Sequence, residues 1–184
     1  MSDLADMLLL EHEEKMNKAL DSCHHELNTV RTGRANPNIL DSIYVDYYGA
    51  KTQLRQLSAI TSPEANQLYI KPFDKTSLKA IMEAISASSL GLTPQNDGNG
   101  IRLVFPQMTE DRRKQLVKEV AKYGEAGKVQ VRNVRRDAND ALKKLELPED
   151  EEKGYLEDIQ ALTDKFIKKV DEAVEAKSKE LMTI

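Results

Sequence analysis

Residues 128–145 read KVQVRNVRRDANDALKKL, and this stretch decides the fold because its apolar and charged positions repeat with the period of a helix. It belongs to a longer helix that we expect to begin near Thr109 and to end near Leu145. Small or apolar residues recur along this helix at alternating intervals of three and four, which predicts a buried seam against partner helices. The seam comprises Val117, Val120, Gly124, Gly127, Val131, Val134, Ala138, Ala141 and Leu145.

The same helix carries its basic and acidic side chains on different faces. At about 100° per residue, five basic side chains fall on one arc beside the seam, while Asp137 and Asp140 lie on the other side. We name these five side chains the cationic stripe: Lys128, Arg132, Arg135, Arg136 and Lys143. The chain has a formal net charge of -4, so its composition does not explain the stripe, and arginine is well suited to bidentate contact with phosphate. The stripe therefore predicts an RNA or phosphate partner, with a merely solvated face as the alternative.

The composition favours helices over a compact aromatic-rich globule. The chain has 184 residues, of which 40% are hydrophobic, 32% charged and only 5% aromatic, and it has no tryptophan. Cys23 is the single cysteine and cannot form an internal disulfide. No apolar run approaches the length of a membrane span, and the N-terminus lacks the pattern of a signal peptide, so we expect a soluble cytoplasmic protein.

Two further long helices complete the pattern predicted for residues 1–30 and 107–184. The first is expected to begin at a Ser2 cap and to run for about 28 residues, and the last begins at the acidic group 149–152. Together with the central helix they predict a three-helix bundle. Their expected apolar positions are Leu9, Met16, Ala19, Cys23, Leu27 and Val30 in the first helix, and Leu156, Ile159, Leu162, Phe166, Val170, Ala173 and Leu181 in the last.

Residues 31–106 interrupt this bundle with a different period. The alternation of Ile43, Val45 and Tyr47 predicts a first strand, which Gly49 ends. Further strands are expected at residues 57–61, 68–71 and 101–105, a helix at 77–86, and a loop at 90–100. The sequence therefore predicts an α+β fold, in which a small β/α/β domain is inserted into a three-helix bundle.

The chain crosses twice between the two predicted domains, at residues 31–36 and 105–108. Because the crossings are paired, we expect them to form a hinge. The expected hinge residues are Thr32, Gly33, Ala35, Asn36, Pro106 and Gln107.

No catalytic or metal site is expected. Cys23, His24 and His25 are consecutive on a helix and cannot converge on one ion, and His12 lies two to three turns away. We therefore interpret Cys23 as a core residue and the three histidines as surface residues. Asp137 and Asp140 share a helix face, but local pairing with Arg136, Lys143 or Lys144 is favoured over a catalytic role. Residues 96–100 resemble a calcium loop only superficially and are interpreted as a turn.

Five basic residues outside the stripe extend the cationic inventory: Arg31 and Arg34 in the first linker, and Arg112, Arg113 and Lys114 at the start of the central helix. The alternative for Arg31 and Arg34 is capping of the first helix. For Arg112 and Arg113 it is pairing with Glu110 and Asp111 or simple solvation.

Five motifs carry a resemblance to a known family. They are VRTGRANP at 30–37, VDYYG at 45–49, SLGL at 89–92, TEDRR at 109–113 and VRNVRRDAND at 131–140. The chain resembles the bacterial-type ribosome recycling factors over nearly its whole length.

The resemblance implies a nearly L-shaped monomer, similar in outline to transfer RNA, that acts without a cofactor of its own and is not an enzyme. It implies binding to the ribosomal RNA of the large subunit after termination, followed by separation of the subunits with elongation factor G and GTP. It also implies RNA contacts by Arg31, Arg34, Arg113, Arg132 and Arg135, of which Arg135 is expected to matter most. Arg132 and Arg135 also lie on the cationic stripe.

Two other classes remain open on the residues alone. A coiled-coil scaffold or chaperone-like adaptor would need only the bundle seams and would bind proteins with little salt dependence. An RNA-modifying enzyme is the weaker alternative, because no cofactor loop or activated nucleophile is visible.

Overall fold

The computed structural model describes residues 2–183, which form three long helices, two short helices and six short strands. In chain order the elements are α1 (Asp3–Thr29), β1 (Tyr44–Tyr47), β2 (Ala50–Gln53), α2 (Leu54–Leu57), β3 (Ser58–Thr61), β4 (Gln67–Pro72), α3 (Leu78–Ala87), β5 (Gln95–Asn96), β6 (Ile101–Val104), α4 (Glu110–Lys143) and α5 (Glu149–Met182). Short 3-10 helices cover Pro37–Ser42 and Lys75–Ser77. The predicted α+β class, with a three-helix bundle and an inserted domain, is confirmed.

The three long helices begin and end close to their predicted positions. Helix α1 has 27 residues, and the Ser2 hydroxyl oxygen at its N-cap accepts a hydrogen bond from the Ala5 N–H at 3.4 Å. Helices α4 and α5 have 34 residues each, with acidic side chains in their first turns that complement the helix dipole. Each long helix packs against the other two. None of the described helices combines the length and apolarity needed to cross a membrane.

The predicted seam of α4 is only partly buried. Val120, Gly124, Gly127, Val131 and Ala138 are buried, whereas Val134 and Ala141 are half-buried. Leu116 and Leu142 are the buried residues at the two ends, whereas the predicted Val117 and Leu145 are only half-buried. The physical reason is that a strict alternation of three and four has a period of 3.5, which drifts around a straight helix of 3.6 residues per turn.

The partner helices bury polar residues that an apolar pattern cannot reveal. His12 is 5% exposed, and its Nδ1 lies 2.8 Å from the Leu8 carbonyl oxygen, so the expectation that all histidines lie at the surface is wrong for this one. In α5, Thr163 is buried and its hydroxyl donates to the Ile159 carbonyl oxygen at 2.8 Å. Tyr155 is also buried, whereas the expected Leu156, Leu162 and Ala173 are only half-buried. The buried polar groups of His12 and Thr163 each have a hydrogen-bond partner inside their own helix.

The two glycines of α4 allow the neighbouring helices to approach closely. A Cβ built on Gly124 would overlap the Cγ2 methyl of Val174 in α5. A Cβ on Gly127 would lie 2.9 Å from the Sγ of Cys23 in α1. Helix α4 nevertheless continues unbroken through both positions, so the glycines mark close packing.

The inserted domain contains a two-stranded and a four-stranded antiparallel sheet. Strands β1 and β2 form a hairpin around Tyr48 and Gly49, both of which have positive φ. The larger sheet has the order β3-β4-β6-β5. Its core is lined by aliphatic residues that include Leu68, Ile70 and Leu103, together with Ile81 of α3.

Strands β2 and β5 were not expected from the sequence. Their residues, AKTQ and QN, are polar and mostly exposed, so they lack the apolar alternation that predicts a strand. The turn interpretation of residues 96–100 is confirmed: Asp97 Oδ1 accepts hydrogen bonds from the N–H groups of Asn99 and Gly100, each at 2.9 Å. These bonds hold the pKa of Asp97 below its usual value.

Backbone contacts divide the described chain into two compact units. One comprises the residues up to Arg31 together with Glu110–Thr183, and the other comprises Thr32–Thr109. Within the second unit, the Ala35 N–H donates to the Ala65 carbonyl oxygen and the Phe105 N–H donates to that of Asn66, each at 2.8 Å. These two bonds fix the inner ends of both linkers to the body of the insert.

Candidate RNA-binding surface

Helix α4 places the stripe arginines beside its buried seam. Val131 and Ala138 are fully buried on the seam, Arg132 and Arg135 are half-buried, and Arg136 is exposed. This order of burial follows from helix geometry, because successive residues are rotated by about 100° and the stripe lies on the flank between core and solvent. The arginine stems therefore rest on the bundle, and we expect their guanidinium groups to lie toward its surface.

Arg135 contacts α5 through an uncharged group. Its Nη1 donates to Gln160 Oε1 at 3.4 Å, and Gln160 Nε2 in turn donates to Asp164 Oδ1 at 2.9 Å. The Nε atom of Arg135 is buried without a hydrogen-bond partner. Within residues 2–183, no salt bridge includes Arg132 or Arg135. The charges of these two arginines are therefore not neutralised by a carboxylate of the described residues.

Lys128 differs from the other members of the stripe. Its side chain is only 17% exposed and forms salt bridges to Asp171 of α5 and, at 3.4 Å, to Glu125. The hydrogen bond to Asp171 raises the pKa of Lys128, with the charges of Asp171 and Glu125 adding to the effect and burial opposing it. The sequence grouped Lys128 with the RNA-binding residues, but in the structure its ammonium group pairs with carboxylates of α4 and α5.

Arg136 and Lys143 lie at the exposed edge of the stripe. Arg136 Nη1 donates to Asn133 Oδ1 at 3.4 Å. The expected salt bridges of Asp137 and Asp140 with Arg136, Lys143 or Lys144 are not formed in the described part of the chain. All of these side chains are exposed, where such pairs contribute little stability.

Outside the stripe, no salt bridge within residues 2–183 includes Arg31, Arg34 or Arg113. Arg31 and Arg34 are exposed, and Val30, with its N–H bonded to the Leu27 carbonyl oxygen, caps α1 instead of Arg31. Arg113 is half-buried, and its Nε is buried without a partner. Glu110, which the alternative interpretation paired with Arg112 or Arg113, forms its salt bridge with Lys114 at 3.2 Å.

The expected hinge residues have distinct environments. Thr32 and Ala35 are buried, whereas Asn36, Pro106 and Gln107 are exposed. Gly33 has a φ of +78°, and a Cβ built on it would lie 3.5 Å from Cε of Met108, so the two linkers run side by side. Asn36 caps the following 3-10 turn by accepting the Asn38 N–H at 3.0 Å.

Cys23 is a buried thiol, as expected. Its Sγ lies 3.7 Å from the Tyr123 carbonyl oxygen, to which it donates, and burial raises the pKa of the thiol. His24 and His25 are exposed. Across residues 2–183, no group of His, Cys, Asp and Glu side chains is arranged to hold a metal ion.

Two residues of this surface were missed by the sequence interpretation. Gln160 contacts Arg135 from another helix, and the α4 pattern alone cannot tell which neighbour flanks the stripe. Asn139 lies one turn beyond Arg135 on the same face, and its Oδ1 is buried without a hydrogen-bond partner. The heptad spacing of Arg132 and Asn139 was the one available signal, since it places both on one line along the helix.

Comparisons with known proteins identify the family. Residues 23–182 match the family model described as Ribosome recycling factor. The chain is 60% identical to the ribosome-recycling factor of Acholeplasma laidlawii over 184 residues, which is the full length of both chains. It is 53% identical to that of Bacillus subtilis over 181 residues, which cover 96% of this chain and 98% of the relative.

Solved structures agree. A solution structure of the ribosome recycling factor matches with a TM-score of 0.78 and 40% identity over the whole of both chains. A second match, with a TM-score of 0.61 and 43% identity, covers 97% of this chain and 98% of the other, which comes from models of the T. thermophilus ribosome recycling factor and E. coli elongation factor G bound to the E. coli post-termination complex. The resemblance carried by the five motifs is thus confirmed, and the chain belongs to the ribosome recycling factor family.

Proposed function

We propose that the chain binds the large subunit of the post-termination ribosome and, together with elongation factor G and GTP, promotes separation of the subunits so that the messenger RNA is released. Arg31, Arg34, Arg113, Arg132, Arg135 and Arg136 make the contacts to ribosomal RNA. The relative found in a post-termination complex with elongation factor G supports this choice of partners.

The observation that carries the proposal is the state of Arg132 and Arg135. Both stems are half-buried against the bundle, and neither guanidinium is neutralised by a carboxylate in the described residues. Two unpaired charges beside a helical core contribute little to the stability of the free protein. A polyanion supplies the missing partner, and bidentate arginine–phosphate contacts suit it.

Recognition proceeds through the RNA backbone and its shape. A-form RNA hides its base edges in a deep, narrow groove, whereas its phosphates are accessible. A long unbroken helix such as α4 can present several arginines along such a backbone at fixed spacing. Lys128 is left out of this contact set because its charge is already paired with Asp171 and Glu125.

The linkers provide the proposed mobile element. Ala35 and Phe105 are fixed to the insert by backbone hydrogen bonds, so hinge motion is confined to Thr32, Gly33 and Arg34 in one linker and to residues 106–109 in the other. This set differs from the hinge residues expected from the sequence, because it leaves out Ala35 and Asn36 and includes Arg34, Met108 and Thr109. In the proposed mechanism, the GTPase supplies the chemistry and this chain transmits displacement to the subunit contact.

The experiment is splitting of post-termination ribosomes with elongation factor G and GTP, comparing wild type with Arg135→Glu. The reversed charge is expected to reduce the splitting rate by at least about tenfold, since it replaces a phosphate contact by repulsion. Lys122→Glu is the matched control, because Lys122 is exposed on the same helix outside the proposed contact set. It changes the net charge equally and should leave the rate within about twofold of wild type.

Equal splitting by wild type and Arg135→Glu would remove the assigned role of the arginine. Failure of the wild type to split ribosomes, with a cognate elongation factor present, would instead favour the scaffold class.

A further inference from the structure

We propose that Gln160 of α5 is a positioning residue that holds the Arg135 guanidinium in the orientation that grips RNA; this inference rests on the proposed function. Gln160 accepts from Arg135 Nη1 at 3.4 Å and donates to Asp164 Oδ1 at 2.9 Å. A three-residue relay thus connects the central arginine of α4 to a carboxylate one turn further along α5.

The relay orients Arg135 without neutralising it. Asp164 forms no salt bridge with Arg135 in the described residues, and the amide between them carries no charge. A carboxylate at position 160 would pair directly with the guanidinium and offset the charge that RNA requires. An amide has one acceptor for the arginine and one donor for the aspartate, so it suits both contacts.

Orientation matters here because an arginine side chain has many rotamers. Fixing such a side chain on binding costs conformational entropy, and a residue that fixes it in advance removes part of that cost. The Arg135 Nε is already buried without a partner, so only the outer nitrogens are free to be directed. Gln160 contacts one of these outer nitrogens and limits the directions in which the other can face.

Gln160 is itself exposed, so its removal is not expected to disturb the bundle. This separates a positioning role from a structural one. A structural defect would weaken RNA binding whether or not Arg135 is present, whereas loss of positioning has no effect once the arginine is gone.

The test is a double-mutant cycle on the full chain, with the dissociation constant for purified bacterial large ribosomal subunits measured at one fixed salt concentration. The four proteins are wild type, Gln160→Ala, Arg135→Ala and the double variant. Gln160→Ala is expected to weaken binding about fivefold in the wild-type background and by less than about twofold in the Arg135→Ala background. Thermal unfolding of Gln160→Ala should match wild type.

Two further variants sharpen the cycle. Gln160→Met keeps the side-chain volume without the hydrogen bonds and should weaken binding as much as Gln160→Ala. Gln130→Ala is the matched control, because Gln130 is an exposed glutamine of α4 that lines the groove between α1 and α4. The affinity of Gln130→Ala for the large ribosomal subunit should equal that of wild type.

The positioning role is overturned if Gln160→Ala or Gln160→Met binds as tightly as wild type, or if the loss is the same with and without Arg135. Failure of the proposed function would give a different result, because Arg135→Ala itself would then bind as tightly as wild type.

Discussion

Gly124 and Gly127 show how two single residues set the spacing of the bundle. A glycine in the middle of a helix lowers its stability by about 1 kcal/mol relative to alanine, yet both glycines lie inside an unbroken α4. The compensation is close packing, with Val174 of α5 over Gly124 and Cys23 of α1 over Gly127. At these positions, packing between helices outweighs helix propensity.

Gly124→Ala should therefore destabilise the bundle despite the better helix propensity of alanine. The new methyl overlaps Val174, and overpacking of this kind costs about 1 to 3 kcal/mol against a gain of about 1. We expect a net loss of about 1 kcal/mol in the free energy of unfolding, measured by chemical denaturation. Val174→Ala in the same chain should recover part of the loss.

Gly154→Ala is the control for this prediction. Gly154 is an exposed residue of α5 with nothing within 4 Å of a built Cβ, so alanine should stabilise the chain by about 0.5 to 1 kcal/mol. If Gly124→Ala stabilises the chain as much as Gly154→Ala does, the close-packing explanation is wrong.

Residue environments were only partly predictable from the sequence. Periodicity correctly placed Val131 in the core and Arg132 beside it, because both follow from the turn of one helix. It could not find the buried His12, the Gln160 contact or the Asp171 partner of Lys128, since each of these depends on the rotation of a second helix. Contacts between helices require the packed structure.

At the scale of elements, the ends of the long helices were predictable because local chemistry fixes them. Ser2 caps α1, and the acidic first turns of α4 and α5 complement their dipoles. Strands β2 and β5 were not predictable, because their pairing with β1 and β6 stabilises segments that carry no apolar alternation.

The Lys128–Asp171 salt bridge joins α4 to α5, and it makes a prediction about pH. Asp171→Asn should lower the free energy of unfolding by about 1 kcal/mol near neutral pH, because the lysine is mostly buried and loses a carboxylate. The pKa of Lys128 is raised in the folded state, so this stabilisation is complete below the unfolded value of about 10.4 and is lost as the pH rises through the folded pKa.

Denaturation of wild type and Asp171→Asn should thus give a stability difference that is constant between neutral pH and about pH 10 and shrinks above it. Glu175→Gln, which removes an exposed pair with Lys179, is the control and should cost less than about 0.5 kcal/mol. A difference that grows above pH 10 would contradict the assigned sign.

For the whole molecule, the proposed function requires that the linkers move as well as connect. Gly33 adopts a φ of +78°, so alanine there would strain the linker by about 1 to 2 kcal/mol or change its path. Gly33→Ala is expected to slow splitting of post-termination ribosomes while leaving affinity for the large subunit unchanged.

Gly98→Ala is the control for the linker. Gly98 has a φ of +91° in an exposed turn, so the substitution carries a similar strain at a site away from both linkers. It should lower stability without slowing the splitting reaction. Equal slowing by both variants would show that lost stability, and not the linker, limits the rate.

The most direct test of the central claim is the salt dependence of binding to purified large ribosomal subunits, measured for wild type and Arg135→Gln. Each phosphate neutralised adds about 0.7 to 0.9 to the slope of log K against log salt concentration. If Arg135 contacts RNA phosphate, the slope of Arg135→Gln will be shallower than that of wild type by about this amount. Identical slopes would show that Arg135 does not neutralise RNA phosphate.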